Sequence, residues 1–235
     1  MSKGIIYYTD LRVGEPIAPL VRQFIHASGL PIISCSLNKP LGFGENHVLE
    51  GERGWATMAR QIIVALENSR ADDVFFCEHD VLYHSSHFEF TPSRNDTFYY
   101  NVNTWRWRYP KDWAITYDHL ISLSGLCCNR ELALNHFKGR IKTAEERGYD
   151  FDSREPYWAR KWGYEPGTKR RGRGGFSDEK MEVWRSEFPN IDIRHKKTLS
   201  LPKVTLKEFK HIPQGWKEIK IKDILGWNLK GLFEL

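Results

Sequence analysis

Short apolar runs alternate with helix-spaced apolar residues through the first third of the chain. Gly4 to Thr9 and Pro31 to Leu37 are apolar and typical of buried strands, while residues 16–28 carry apolar side chains at the spacing of one helix face. A second helical stretch, residues 55–68, leads into the apolar run Val74 to Cys77. This order predicts an α/β fold with a mixed, mostly parallel central sheet flanked by helices.

An acidic and imidazole group, Glu78-His79-Asp80, follows the third predicted strand. Open α/β sheets bind ligands at the carboxyl ends of their strands. Carboxylates at the edge of an apolar sheet need a compensating positive charge, and their oxygens suit Mg²⁺ or Mn²⁺. A solvated acidic turn is the alternative interpretation. Strand alternation predicts that His79 points away from this site into the fold.

The pattern of apolar and polar residues becomes less regular after Asp80. Residues 98–107 alternate polar and aromatic side chains and predict one strand, residues 120–128 predict another, and residues 132–147 predict a helix. The long loop of residues 38–54 contains four glycines, and loops of that length inside a domain are usually functional. We therefore expect one domain over residues 1–199 and a basic extension, residues 200–235, packed on it.

Positive charge is concentrated late in the chain. Residues 196–235 contain nine lysines against four acids, a balance that equals the net charge of +5 of all 235 residues. The Gly-rich stretch of residues 169–175 contains four further cations and is typical of a loop that binds phosphate. The phosphate could belong to a nucleotide sugar or to a nucleic acid, and a solvated surface loop is the alternative.

The cysteines and the first residues indicate the compartment. The four cysteines lack metal-finger spacing and mostly lie in apolar contexts, which favours reduced thiols over a disulfide framework. The N-terminal residues lack the features of a secretory signal, and no apolar run approaches the roughly 20 residues that span a bilayer. We expect a protein without a membrane span, in the cytoplasm of a bacterium or of a phage-infected host.

Four segments occur in an order that resembles the GT-A glycosyltransferases over residues 4–195. Glu78-His79-Asp80 is similar to the acidic Asp-any-Asp motif of that family, and residues 124–130 are similar to its Gly and Arg-containing helix start. Residues 155–164 are similar to its acid followed by an amphipathic segment that ends in Gly-Tyr, and His195 matches its late histidine. The chain also resembles small phage and metagenomic glycosyltransferases through Glu-His-Asp and Ile-Asp-Ile-Arg-His.

The resemblance implies a metal-dependent enzyme that transfers a sugar from a nucleotide-diphosphate sugar, with a UDP-sugar favoured, to an unidentified hydroxyl acceptor. A modified nucleic-acid base, as in modified DNA, is one hypothesis for that acceptor. Asp80 is the first choice of ligand for Mn²⁺ or Mg²⁺ and His195 the second, although an ordinary satisfied histidine is the alternative for His195. Because the first acid is Glu78 where the family has Asp, Glu78 is expected to help the metal or to contact ribose or sugar.

The resemblance also implies residues for catalysis and donor binding. Glu155 is the first choice of general base, with Asp178 and Asp152 behind it, but Pro156 stands where the family has a second acid. We expect the donor nucleotide to contact two groups of residues, Thr9 and Asp10 at the base or ribose and Lys39, Arg53 and Arg171 at the diphosphate. A helix N-cap is the alternative role for Asp10.

Two other functions compete with this one. A nucleotidyltransferase on a related sheet would need a Gly-rich basic loop after the first strand, and Arg12-Val13-Gly14 is too sparse for that. A non-enzymatic nucleic-acid-binding module is favoured by the basic tail and loop and by aromatic residues that suit base stacking, although such pairs are more often core. The stacking candidates are Trp105, Trp107, Tyr109 and Trp113. The sequence does not indicate an oligomeric state.

Overall fold

The structure, a computed structural model, describes residues 1–146, 165–168, 180–197 and 203–234. Twelve strands lie in these residues: β1 Lys3–Thr9, β2 Ile32–Leu37, β3 Glu45–Leu49, β4 Asp73–Glu78, β5 Val81–Leu82, β6 Thr97–Asn101, β7 Thr104–Arg108, β8 Trp113–Thr116, β9 Leu126–Asn129, β10 Lys180–Trp184, β11 Asn190–Arg194 and β12 Lys217–Lys220. Four α-helices accompany them: α1 Ile17–His26, α2 Trp55–Asn68, α3 Arg130–Glu146 and α4 Leu229–Leu232.

The larger sheet has seven strands in the order β10-β6-β9-β4-β1-β2-β3. Strands β3, β2, β1 and β4 run parallel to one another, as do β10 and β6, whereas β9 runs antiparallel to both β4 and β6. The predicted fold class, a mixed α/β fold with a mostly parallel central sheet flanked by helices, is confirmed.

Alternate residues of the central strands serve two hydrophobic cores. Phe75 and Cys77 of β4 pack with α1 and with the smaller sheet, whereas Val74 and Phe76 pack with α2 and α3. Burial on both faces explains why these strands appear in the sequence as continuous apolar runs.

The smaller sheet has five strands in the order β12-β8-β7-β11-β5. Trp107 of β7 is fully buried there, in the core role that was the alternative to stacking. The C-terminal segment belongs to this unit, because β12 pairs with β8 and the Trp227 indole Nε1 donates a 2.6 Å hydrogen bond to the Pro189 carbonyl. Among the described residues, no helix is long and apolar enough to cross a membrane.

Two predicted elements were wrong. The single strand expected over residues 98–107 is two strands in different sheets, because β6 pairs with β10 and β9 whereas β7 pairs with β8 and β11. Between them the Asn101 side chain accepts a hydrogen bond from the Asn103 amide at 2.9 Å. The expected loop of residues 38–54 contains β3, an edge strand whose residues are all at least partly exposed. Edge strands need no apolar face, so their sequence signal is weak.

The Gln61 side chain of α2 donates hydrogen bonds to two neighbouring central strands, β1 and β2. Its amide Nε2 donates to the Thr9 carbonyl at 2.9 Å and to the Cys35 carbonyl at 3.0 Å, and the side chain is 3% exposed. We expect Gln61→Leu to lower the free energy of unfolding by about 1–3 kcal/mol, because two buried acceptors lose a donor. Urea unfolding measures this loss. Gln23→Leu, at an exposed position of α1, is the control, and an equal loss in both variants would contradict the role of Gln61.

Candidate active site

The candidate site lies at the carboxyl ends of β1 and β4. From β1 the chain continues to β2 and β3 on one side of the sheet, whereas β4 lies on the other side, so the strand order reverses between β1 and β4. Such a switch point opens the crevice in which open α/β sheets bind ligands. Asp10 follows β1 and Asp80 follows β4, and the Ile193 amide of β11 donates to the Asp80 carbonyl at 2.8 Å.

Asp80 is a buried carboxylate beside His195. The His195 Nε2 lies 3.3 Å from the Asp80 Oδ2, and the Asp80 residue is 8% exposed. Burial raises the pKa of Asp80, but the hydrogen bond from His195 and the charges of His79 and Arg194 outweigh burial and hold that pKa below its usual range. Asp80 therefore carries a negative charge at neutral pH.

The imidazole of His195 is oriented by its other nitrogen. Its Nδ1 accepts a hydrogen bond from the Lys197 amide at 3.1 Å, so in the neutral ring the proton belongs on Nε2, facing Asp80. In this tautomer the Nε2 hydrogen faces Asp80, and coordination of a metal through Nε2 would require the Lys197 amide to leave Nδ1. The sequence predicted His195 and Asp80 as ligands of one metal ion, and the structure places their side chains 3.3 Å apart.

Glu78 differs from Asp80 in charge. Burial raises the pKa of Glu78 to about 8, and the nearby charge of Asp80 adds to this effect. The Tyr8 hydroxyl contacts the Glu78 Oε1 at 2.7 Å from the neighbouring strand β1. The two acids of the motif therefore carry close to one negative charge between them near neutral pH, rather than two.

Glu78 should make stability depend on pH in the metal-free protein. The unfolded carboxyl loses its proton near 4.5 and the folded one near 8, so the unfolded state binds fewer protons between these values and stability falls as pH rises through that window. We expect Glu78→Gln to flatten this decline by up to about 1.4 kcal/mol per pH unit. Urea unfolding in a chelator across the window measures it, and parallel curves for the two proteins would refute it.

Asp10 and Arg53, both predicted to bind the donor, contact each other. The Arg53 Nε donates to the Asp10 Oδ2 at 2.5 Å, and the Arg53 Nη2 donates to the Lys197 carbonyl at 3.0 Å. Burial raises the pKa of Asp10, but the hydrogen bond from Arg53 and the charge of His79 lower it below its usual value. The N-cap of α1 is Pro16, which excludes the N-cap role for Asp10.

His79 was predicted to point into the fold, and this was wrong. Its Nε2 lies 4.0 Å from the Asp10 Oδ1, in the candidate site. Strand β4 ends at Glu78, so the alternation of side chains no longer applies one residue later. The Nδ1 of His79 is buried without a hydrogen-bond partner among the described residues, which leaves a polar atom for a ligand.

A buried ionic network adjoins the site, and sequence reasoning missed it. Asp192 of β11 is 2% exposed and accepts hydrogen bonds from Arg194 and, at 3.3 Å, from the Arg106 Nε. Burial lowers the pKa of Arg194, but the charges of Asp192 and Asp80 outweigh burial and raise it. The alternation Ile-Asp-Ile-Arg was the available signal, since it places Asp192 and Arg194 on the face opposite to the isoleucines.

The remaining predicted residues lie at both ends of the larger sheet or outside the described residues. Thr9 ends β1 and its hydroxyl accepts the Leu11 amide at 3.0 Å, while Lys39 is exposed in the turn after β2, at the same sheet edge. Arg130 lies at the opposite edge, because β9 is antiparallel to β4 and pairs Asn129 with Asp73. Four predicted site residues are outside the described residues: Asp152, Glu155, Arg171 and Asp178.

No group of three or more His, Cys, Asp or Glu side chains in the described part of the chain is arranged to hold a metal ion. The described residues instead offer the Asp80 carboxylate and the unpartnered His79 Nδ1. Mg²⁺ commonly binds through one or two carboxylates together with substrate phosphates. This donor set therefore fits a cation that arrives with a diphosphate better than one bound beforehand.

Comparison with known proteins gives only remote similarities. No family model and no curated protein matches the sequence. Similar solved structures include a glycosyltransferase involved in glycosylation of the major capsid of PBCV-1, with 10% identity, 79% of this chain and 82% of that chain covered, and a TM-score of 0.44. The inositol-1-phosphate CTP transferase from T. maritima has 11% identity, 100% and 95% coverage and a TM-score of 0.43.

A third similar structure is the bifunctional IspDF from Campylobacter jejuni, with 9% identity and a TM-score of 0.40. The match covers 80% of this chain but only 50% of that protein, so the chain spans half of its length. At these identities and TM-scores, the backbones of the compared proteins overlap only in part. The function proposed below rests on the geometry of the site.

Proposed function

We propose that the protein is a glycosyltransferase that takes a sugar from a nucleotide-diphosphate sugar, with a UDP-sugar the favoured donor, and passes it to a hydroxyl acceptor. The observation that carries the proposal is the position of Asp10, Arg53 and Asp80 together at the switch point of a mostly parallel sheet. Crevices at this position bind nucleotides in open α/β folds.

The charges around the crevice suit a diphosphate leaving group. Negative charge grows on the diphosphate as the bond to the sugar breaks, and fixed positive groups stabilise it. Arg53 precedes the first turn of α2, where backbone N–H groups point outward and favour anions. Arg194 adds a second partly buried cation, paired with Asp192 on β11.

A divalent cation, Mn²⁺ or Mg²⁺, is part of the proposal. It would be held by the Asp80 carboxylate and would neutralise the diphosphate as a Lewis acid. Glu78 would join it once the cation lowers its pKa, and His195 would keep Asp80 oriented through its Nε2 hydrogen.

The remaining roles are proposals from the sequence. Thr9 and Asp10 are proposed to meet the ribose or base, since a carboxylate that accepts from Arg53 and from the Arg12 amide retains lone pairs for ribose hydroxyls. Lys39 and Arg171 are proposed to complement the diphosphate. Glu155, with Asp178 behind it, is proposed as the base that takes the proton of the acceptor hydroxyl if the reaction inverts the anomeric centre.

A thermal-shift screen of nucleotides with and without Mn²⁺ tests the proposal. A ligand that binds only the folded protein raises the melting temperature by mass action. We expect a nucleoside diphosphate or its sugar conjugate to raise it strongly with Mn²⁺ and weakly without, and Mn²⁺ alone to have little effect. Larger shifts with nucleoside triphosphates, together with pyrophosphate release, would identify a nucleotidyltransferase instead. No shift with any nucleotide would refute both functions.

A further inference from the structure

Three aromatic side chains form a cluster next to the smaller sheet. Tyr117 follows β8 and Trp216 precedes β12, and their rings are nearly parallel, 6° apart in orientation, with centroids 6.2 Å apart. Phe209 stands edge-on to both rings, with a centroid distance of 5.5 Å to each. All three side chains are only half-buried, so part of the cluster is open to solvent.

One lysine lies over a ring of this cluster, and five others are close to it in sequence. The Lys203 Nζ lies 5.3 Å from the centroid of the Phe209 ring. Residues 203–223 contain six lysines, all exposed, against three acids. Glu208 accepts the Val204 and Thr205 amides and Glu218 accepts the Trp216 Nε1 at 3.1 Å, and the segment keeps an excess of three lysines over acids. We call the group Tyr117, Phe209, Trp216, Lys203 and Lys210 the aromatic-lysine surface.

The aromatic-lysine surface adjoins the candidate active site. The Arg106 Nη1 donates to the Tyr117 hydroxyl at 2.8 Å, and the Arg106 Nε donates to Asp192 at 3.3 Å. Asp192 in turn contacts Arg194, whose charge influences Asp80. One partly buried arginine, Arg106, therefore connects the surface to the ionic network beside Asp80.

We propose that the aromatic-lysine surface binds single-stranded nucleic acid. Arg106 already lies over the Tyr117 ring at 5.6 Å and Lys203 over the Phe209 ring at 5.3 Å, so the half-exposed Trp216 is the ring on which an unpaired base would stack. The exposed lysines would contact the phosphates. Bases inside a duplex are stacked on each other and cannot reach such rings. A neutral oligosaccharide could also stack on the aromatic side chains, but it would gain little from the lysines. The proposal does not depend on whether the crevice transfers a sugar.

The test is fluorescence anisotropy of a labelled oligothymidine of about ten nucleotides, titrated with the full chain. We expect saturable binding that weakens about tenfold or more between about 50 and about 200 mM salt. Trp216→Ala should weaken binding by roughly fivefold or more, because a stacking ring is lost, and Trp216→Phe should restore most of it. Lys210→Glu should weaken binding and reduce its dependence on salt.

Lys142→Glu is the matched control. Lys142 is exposed on α3, which packs against the other core, and its substitution changes the net charge by the same amount as Lys210→Glu. An equal loss of binding in both charge variants would show non-specific attraction and overturn the proposal. So would the absence of binding, or binding of a neutral oligosaccharide without the oligonucleotide. If Trp216→Ala fails to fold, the pair of lysine variants still decides between these outcomes.

Discussion

Asp80→Asn is expected to reduce nucleotide-sugar transfer or hydrolysis by about a thousandfold or more, because it removes the negative charge proposed to hold the cation at the diphosphate. The low pKa of Asp80 and the raised pKa of Glu78 make Asp80 the charged acid of the motif at neutral pH. Asparagine retains an oxygen that accepts the hydrogen from His195, so the fold should survive. Steady-state assays with Mn²⁺ and the nucleotide sugar that gives the largest thermal shift measure the effect.

The control for this variant is Asp112→Asn, at an exposed aspartate of the turn between β7 and β8. It should retain the activity of the unsubstituted protein. Melting curves of both variants separate lost chemistry from lost folding. An active, folded Asp80→Asn protein would remove Asp80 from the mechanism, whatever the fate of the other site residues.

Asp192→Asn is expected to cost about 3 kcal/mol of unfolding free energy, the largest stability effect we predict. The substitution leaves Arg106 and Arg194 next to each other without the carboxylate that both contact. Breaking a buried ion pair from one side is expensive because a buried charge loses its compensation. Some exposure remains at both arginine side chains, 15% and 14%, which places the effect at the lower end of the known range.

Chemical unfolding of the variant measures this cost. Glu182→Gln is the comparison, because it removes the acid of an exposed pair with Arg94 at 3.6 Å and should change stability by at most about 0.5 kcal/mol. Similar small losses in the two variants would mean that the buried network contributes no more than a surface pair. Asp192→Asn should also weaken nucleotide binding, since it changes the position of Arg194.

The central strands could be predicted because their burial leaves a continuous apolar signal. Strands β1, β2 and β4 all carry it, and the position of Asp10 and Asp80 at one edge follows from their parallel direction. Strand β3 could not be predicted in this way, since its edge position exposes Val48 by 45%. The division of residues 98–107 between two sheets also has no local signal, because it depends on which partners each half finds.

The contacts inside the site depended on long-range geometry. Arg53 and Asp10 are 43 residues apart in sequence, and Arg106 and Asp192 are 86 apart, so no local pattern pairs them. The charge of Glu78 likewise follows from its burial beside Asp80, which sequence alone does not reveal. The sequence predicted that Asp10 and Asp80 lie at one end of the parallel strands, whereas Asp192, the protonation of Glu78 and the partners of each acid required the structure.

Calorimetric titration of the nucleoside diphosphate with and without Mn²⁺, into the unsubstituted protein and into Asp80→Asn, tests the central claim most directly. If Asp80 holds a cation that arrives with the diphosphate, Mn²⁺ should tighten nucleotide binding about tenfold or more in the unsubstituted protein and leave the variant unchanged. Equal tightening in both proteins, or none in either, would contradict the assignment of Asp80 as the anchor of the diphosphate-bound cation.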